Sequence, residues 1–202
     1  MVPRVDSQRE RTLILIKPDA VRRGLVGKIL QRVEDTGLAI VALEMRQVSE
    51  EFAGGHYATT DAQLAQMGAK LLAGFTEAGQ DVRHEFGTDD PVALGRMIHD
   101  WNLAYLTSGP VVAAVVDGYH AVKKVRALCG STMPLAAGPG TIRGDFSSVS
   151  ALVAGARHAA VRNLVHASDN ELDPEEPERE IAYWFGSGKL CEVDPVAWQA
   201  LQ

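Results

Sequence analysis

The sequence predicts an α/β protein, a ferredoxin-like α/β sandwich with an antiparallel sheet and helical insertions. Three observations point there. Leu13-Ile14-Leu15-Ile16 and Val111–Val116 are uninterrupted apolar runs, the pattern of strands buried on both faces. Long stretches between and around them repeat apolar residues at helical spacing. The elements then follow in the order β, α, β, helices, β, α, loop, β, α, which makes two β-α-β halves.

Residues 1–10 read as a polar arm, 11–185 as one domain and 186–202 as a tail opened by Gly186-Ser187-Gly188. Lys17-Pro18 ends the first strand. Leu25, Ile29, Leu30 and Val33 mark a helix that Gly37 stops. Leu38–Val48 reads as the second strand, and Ser49 with Glu50 and Glu51 opens a short helix through Tyr57. Residues 61–108 are expected to be helical. Leu64, Met67, Leu71 and Phe75 form one apolar stripe. Asp90-Pro91 starts a second helix carrying Leu94, Met97, Ile98, Trp101 and Tyr105. Gly79–Thr88 is the polar connection between the two. A short basic helix is expected over Ala121–Leu128. The glycine and proline density of 129–146 argues against regular structure there. Residues 147–162 read as a helix or ordered loop and Leu164–Ala167 as the last strand. A final helix ends near Phe185 and buries Ile181, Trp184 and Phe185.

The chain of 202 residues can bury a full core in one domain. Its net charge of -6 argues against nucleic acid as the main partner, so an anionic substrate needs a local basic site. Two cysteines, Cys129 and Cys191, suggest no disulfide framework. Met1–Glu10 is too polar for a signal peptide, and no apolar run approaches the roughly 20 residues of a membrane span. The expectation is a soluble cytoplasmic protein without a membrane partner.

Several residues suit phosphate chemistry, which rests on fixed cations and positioning. Lys17 sits at the end of a buried strand, either as a solvated lysine or as a phosphate cation. Arg126, in Lys123-Lys124-Val125-Arg126, belongs either to a solvated basic face or to such a site. Arg143 lies between Gly140 and Gly144; it either holds its loop or offers a bidentate fork to phosphate. His166 is either a satisfied, partly buried histidine or a nucleophile on a rigid strand. An acid such as Asp169, or one of the Asp173–Glu180 cluster, could accept the proton of one ring nitrogen and leave the other neutral and reactive. In an extended segment Ser168 shares the face of His166. Asn163 lies opposite it unless the chain bends or the strand starts between them. The six histidines share no zinc-ligand spacing, and Gly-x-Ser-x-Gly, Walker and GxGxxG patterns are absent.

Lys17-Pro18-Asp19, Arg23-Gly24-Leu25-Val26-Gly27, His56-Tyr57, Ser108-Gly109-Pro110-Val111, Pro139 through Phe146 and the Asn163–Asp169 run occur in order from Glu10 to Phe185. Together they resemble the nucleoside diphosphate kinase family. The resemblance implies transfer of the γ-phosphate of ATP, or of another nucleoside triphosphate, to a nucleoside diphosphate by a ping-pong route. His166 would carry the phosphoryl group, Glu180 would orient it and Ser168 would support both. Lys17, Arg126, Thr132 and Arg143 would hold phosphates, Tyr57 would steady the histidine and a phosphate, and Asn163 would contact the sugar. Mg²⁺ would arrive on the nucleotide, and the protein would form a homo-oligomer. Two insertions, about 58–90 and 147–160, depart from the family pattern. Ala58-Thr59-Thr60-Asp61 lacks the usual base-stacking aromatic, for which Phe75 or Phe86 is a candidate replacement. The stripe in the first insertion must bury against something, either the nucleotide site or an oligomer edge. The alternative reading is a nucleotide-binding regulatory or interaction module with reduced catalysis.

Overall fold

The computed structural model describes residues 8–171, 173–186 and 190–192. Most of the expected arm and tail therefore lies outside the described residues. The strands are β1 (Arg9–Ile16), β2 (Ala39–Arg46), β3 (Val111–Tyr119) and β4 (Val165–Ala167). They form one antiparallel sheet in the order β2-β3-β1-β4. β3 lies between β1 and β2, and β1 between β3 and β4, so each β-α-β half is split by a strand of the other. β1 already begins at Arg9, inside the segment expected to be an arm.

The apolar runs are continuous because both faces of the sheet are covered. Ile14 and Ile16 of β1, with Val112, Ala114 and Val116 of β3, pack on α1 (Pro18–Arg22), α2 (Val26–Glu34) and α7 (Ala121–Cys129). Leu13, Leu15, Val111, Ala113 and Val115 face the other way. They meet α3 (Glu50–His56), the end of α6 (Pro91–Thr107) and α10 (Glu176–Phe185). Alternation along β4 does the same, sending Val165 and Ala167 into the first layer and leaving His166 on the α3/α10 side.

The helical stretch after α3 folds as a hairpin of two long helices. α4 (Asp61–Glu77) begins with a capping box made by Thr60 and Gln63. α6 begins with Asp90, whose carboxylate accepts the Ala93 N–H, and with Pro91 at its first position. Between them, α5 (Val82–Phe86) is capped by Asp81, so Gly79–Thr88 is not merely a polar connection. Leu71, Phe75, Val82, Phe86 and Leu94 form a core separate from the two on the sheet. Leu71 and Phe75 of the predicted stripe go here, while Met67 lines the cavity described below.

Two expectations are corrected. Residues 129–146 contain a 3₁₀ turn at Pro134–Ala136 and a short helix α8 (Ile142–Phe146) capped by Thr141. The glycines and prolines shape its approach, and the capping hydroxyl starts a helix that density alone had hidden. Pro18 likewise does more than end β1; it occupies the first turn of α1. A further short helix, α9 (Ala151–Gly155), falls where a helix or ordered loop was expected.

α4 and α6 touch through backbone. A Cβ added at Gly95 would stand 2.0 Å from the Leu64 carbonyl oxygen, whereas one added at Gly74 would meet nothing within 4 Å. Gly95→Ala should therefore force the helices apart at a cost of about 1–3 kcal/mol, exceeding its helix-propensity gain of about 1 kcal/mol. Gly74→Ala should stabilise the protein by that propensity gain. Thermal unfolding of the two variants should show opposite shifts in Tm.

Candidate active site

The site grows from one turn. The chain bends between Asn163 and His166 because Leu164 has φ 70° and the Val165 N–H donates to the Asn163 carbonyl at 2.7 Å. This is a γ-turn, strained by about 1–3 kcal/mol for a residue with a Cβ. β4 starts just after it, which lets Asn163 and His166 share a site. Leu164 itself is fully buried. The three carbonyls of the turn are all held. Arg143 Nε donates to Asn163 O at 3.2 Å and Nη2 to Val165 O at 2.7 Å, and the Lys17 N–H donates to Leu164 O at 2.8 Å.

Arg143 thus does what a loop-holding arginine does, with Nη1 bonded to Gly130 O at 2.7 Å as well. It is 4 % exposed and still lines the cavity described below. Three of its five N–H groups go to carbonyls, so two are left for an anion. Burial lowers its pKa.

His166 is fixed from behind. Its Nε2 lies 2.9 and 3.0 Å from the two carboxylate oxygens of Glu180, and the Ser168 hydroxyl donates to the same carboxylate at 2.5 Å. With the Nε2 proton given to Glu180, Nδ1 keeps its lone pair. Burial opposes ionisation of Glu180. His166, through charge and hydrogen bond, outweighs that with help from His56 and Ser168, and the carboxyl falls to about 2. Asp169 does not orient His166; it pairs with Arg126 at 2.6 Å. Asp173 pairs with Arg179.

His56 has a role that its place in a sequence motif did not disclose. Its ring meets that of His166 edge-on, with centroids 4.9 Å apart. Its Nδ1 accepts the Trp184 indole N–H at 3.3 Å and lies 3.6 Å from Glu180. Burial, then the neighbouring His166, drives its pKa down to about 3, so it adds no charge beside the nucleophile. His56, His166 and Glu180 are close enough to suggest a metal trio, but the His56 lone pair that a metal would need already accepts the indole N–H.

In front of His166 opens a cavity of about 540 Å³, in the range of small-molecule sites. Lys17, Tyr57, Arg126, Thr132, Arg143, Asn163 and His166 all line it, while Ser168 and Glu180 stand behind. Lys17 Nζ donates to Asn163 Oδ1 at 2.9 Å, and Asn163 Nδ2 to Thr132 O at 3.2 Å. Burial, then the Arg143 charge, lowers Lys17 to about 8, with Asp19 opposing. The Tyr57 hydroxyl is buried without a hydrogen bond to any described residue. Among the described residues no carboxylate lines the cavity. α4 contributes Met67, Lys70 and Leu71, and α9 contributes Ala154 and Gly155. Phe75 and Phe86 are not there; their rings pack on each other 5.2 Å apart in the hairpin core. Besides Tyr57, the cavity is lined by the Trp101 ring of α6.

A cation-lined pocket in front of a carboxylate-oriented histidine, on a ferredoxin-like sheet, defines a phosphoryl-transfer enzyme. The nucleoside diphosphate kinase family profile matches residues 10–70 and 92–190. A nucleoside diphosphate kinase from Pyrobaculum aerophilum is 48% identical over 183 residues, covering 91% of this chain and 98% of the relative. One from Mycobacterium tuberculosis is 41% identical over 177 residues, 87% of this chain and 96% of the relative. The crystal structure of an NDP kinase from Pyrobaculum aerophilum superposes with a TM-score of 0.86 at 47% identity, covering 91% of this chain and 100% of that one. A transition-state mimic of the Borrelia burgdorferi nucleoside diphosphate kinase, with bound vanadate and ADP, gives 0.71 at 31% identity, covering 93% and 94%. The chain belongs to the nucleoside diphosphate kinase family.

Two measurements probe the site directly. Arg143→Lys cannot serve three carbonyls at once, and leaving buried acceptors unmet costs about 1–3 kcal/mol. Its Tm should fall accordingly; an unchanged Tm would remove Arg143 as the brace of the turn. Lys17 titrates at about 8 in the free protein, so raising the pH through that value removes a positive charge from the cavity. Inorganic tripolyphosphate, measured calorimetrically between pH 6.5 and 9.5, should bind progressively more weakly above pH 8, and Lys17→Arg should flatten that dependence.

Proposed function

We propose that the chain transfers the γ-phosphate of ATP, or of another nucleoside triphosphate, to a nucleoside diphosphate through a phosphohistidine at His166. The observation that carries this reading is the clamp of Glu180 on His166 Nε2, which leaves Nδ1 as the free lone pair beside a cavity of cations.

Nδ1 attacks the γ-phosphorus as the bond to the β-phosphate oxygen breaks, and the nucleoside diphosphate leaves with that electron pair. The ring becomes cationic without losing a proton. Glu180, ionised throughout the physiological range, faces that charge across the Nε2–H bond. Lys17, Arg126, the two remaining Arg143 N–H groups and the Tyr57 hydroxyl hold the phosphate oxygens, and Thr132 joins them. Asn163 holds the sugar. A second nucleoside diphosphate then enters the same site and takes the phosphoryl group by the reverse step.

Mg²⁺ comes as part of the substrate. A cavity lined by cations, with no carboxylate among the described residues, suits an ion carried on phosphate oxygens, where it would neutralise charge during transfer. Broad base acceptance follows if phosphates and sugar supply most contacts. The non-catalytic alternative, a regulatory nucleotide-binding module, is disfavoured by the oriented histidine, which binding alone does not require. A homo-oligomer fits the edge strand β2, where Leu43 and Met45 are 55% and 58% exposed. Among the described residues no helix is long and apolar enough to cross a membrane; the cytoplasmic nucleotide pool is the setting that suits the reaction.

Incubation with γ-labelled ATP should place acid-labile, base-stable label on His166, and steady-state exchange between ATP and GDP should give parallel double-reciprocal lines. His166→Ala should lose both label and exchange while still binding ADP. Intersecting lines, or exchange by His166→Ala near the wild-type rate, would overturn the assignment.

A further inference from the structure

Lys17 brings a charge to the cavity without a direct counter-ion. It is buried, and Nζ donates to Asn163 Oδ1 at 2.9 Å. An ammonium has three N–H donors, yet among the described residues no carboxylate pairs with this one. Two residues on, in Lys17-Pro18-Asp19, the fold buries an acid that the reaction above does not use. Asp19 lies in the first turn of α1, and its Oδ1 accepts the Tyr105 hydroxyl at 2.6 Å. Tyr105 comes from α6 and is buried too. Its ring lies under the ammonium, with Lys17 Nζ 5.3 Å from the centroid. Neither Asp19 nor Tyr105 lines the cavity.

The groups around Lys17 come from several elements. Burial, then Arg143 of α8, disfavours its charge. Burial pushes the Cys129 thiol of α7 up to about 11, so it stays neutral. His56 of α3 is neutral as well. Burial, then the Asp19 charge, raises the Tyr105 phenol, so the proton stays on its oxygen and is offered to Asp19. Asp19 of α1 is thus the charge that opposes Arg143. A phenol that donates to a carboxylate is polarised toward it and gains electron density in its ring. The face of such a ring attracts a cation, more strongly out of water.

We infer that Asp19 and Tyr105 are positioning residues for Lys17: the ring seats the ammonium, and the Tyr105–Asp19 bond relays a negative charge to it without placing a carboxylate in the cavity. A carboxylate bonded directly to Nζ would occupy the place of the phosphate oxygens and repel them. Relayed through a ring, the counter-ion supports the cation and leaves the cavity to the anion. The inference rests on the phosphate-binding reading of Lys17 given above.

Asp19→Asn keeps an acceptor for the Tyr105 hydroxyl and removes the charge; Tyr105→Phe keeps the ring and removes the bond. NMR of protein labelled with ¹³C at lysine Cε reads the ammonium directly and without a ligand, the Lys17 signal being assigned by its loss in Lys17→Arg. The Lys17 midpoint, about 8 in the wild type, should fall by about one pH unit in Asp19→Asn and by a smaller step in Tyr105→Phe. Tripolyphosphate calorimetry should follow it. For Asp19→Asn the Kd should be about five-fold above wild type at pH 8 and unchanged at pH 6, where Lys17 is charged in both proteins. A merely structural tie between α1 and α6 would survive Asp19→Asn and leave the midpoint in place. An unmoved midpoint in folded Asp19→Asn therefore overturns the inference, and so does a Kd rise of equal size at both pH values. If Asp19→Asn does not fold, Tyr105→Phe decides by the same titration, and an unmoved midpoint there overturns the inference. Wild-type protein that bound no tripolyphosphate would count against the phosphate reading of the cavity, while the titration, which needs no ligand, would still decide the role of Asp19 and Tyr105.

Discussion

The site depends on keeping Leu164 in a backbone conformation that residues with a Cβ avoid. Relaxing that turn would rotate Asn163 away from His166 and shift the start of β4. The strain is held from two sides. Leu164 is buried in the sheet core, and three successive carbonyls are taken by Arg143 and the Lys17 backbone. The residues that fix the turn are thus themselves the cations of the cavity. The Arg143 guanidinium cannot drift without loosening the segment that presents the nucleophile, which ties substrate-binding geometry to nucleophile geometry.

Electrostatics divide the site along the His166 ring. On one side cations crowd a pocket that no carboxylate lines among the described residues, and burial, then repulsion from Arg143, depresses Lys17. A polyphosphate relieves that repulsion on arrival. On the other side Glu180 is held ionised in a mostly buried place, with His56 kept neutral alongside. The ring can therefore take positive charge toward Glu180 while its opposite nitrogen faces the anion. Neither half supplies this alone.

What the sequence disclosed follows the range of the interactions involved. β1 and β3 were legible because a strand covered on both faces must be apolar throughout, and α6 because Asp90-Pro91 is a local start signal. His166 and Ser168 were legible as one face of a strand. α8 was not, because Thr141 starts it with a single hydroxyl inside a glycine-rich stretch. Arg143 could be read as a loop brace, but not its partners, because the carbonyls lie on two distant segments, Gly130 and the Asn163–Val165 turn. Asp169 and Glu180 looked equivalent as partners for His166 until the fold gave Asp169 to Arg126. Trp101 was read as one more member of an apolar stripe; helical spacing marks the side of a helix, and it does not tell a packed core from the wall of a cavity.

The separate core of the α4–α6 hairpin has a consequence for how the molecule opens. Leu71, Phe75, Val82, Phe86 and Leu94 bury one another apart from the two clusters on the sheet, which is the architecture of a cooperative unit able to unfold on its own. Amides of β1 and β3 then exchange with solvent only when the whole domain opens, while those of α4 and α5 exchange through a cheaper, partial excursion. Because this unit forms one wall of the cavity, a bound nucleotide is linked to its folding: occupancy suppresses the excursion, and the excursion releases the ligand. Substrate exchange and local folding become two views of a single equilibrium.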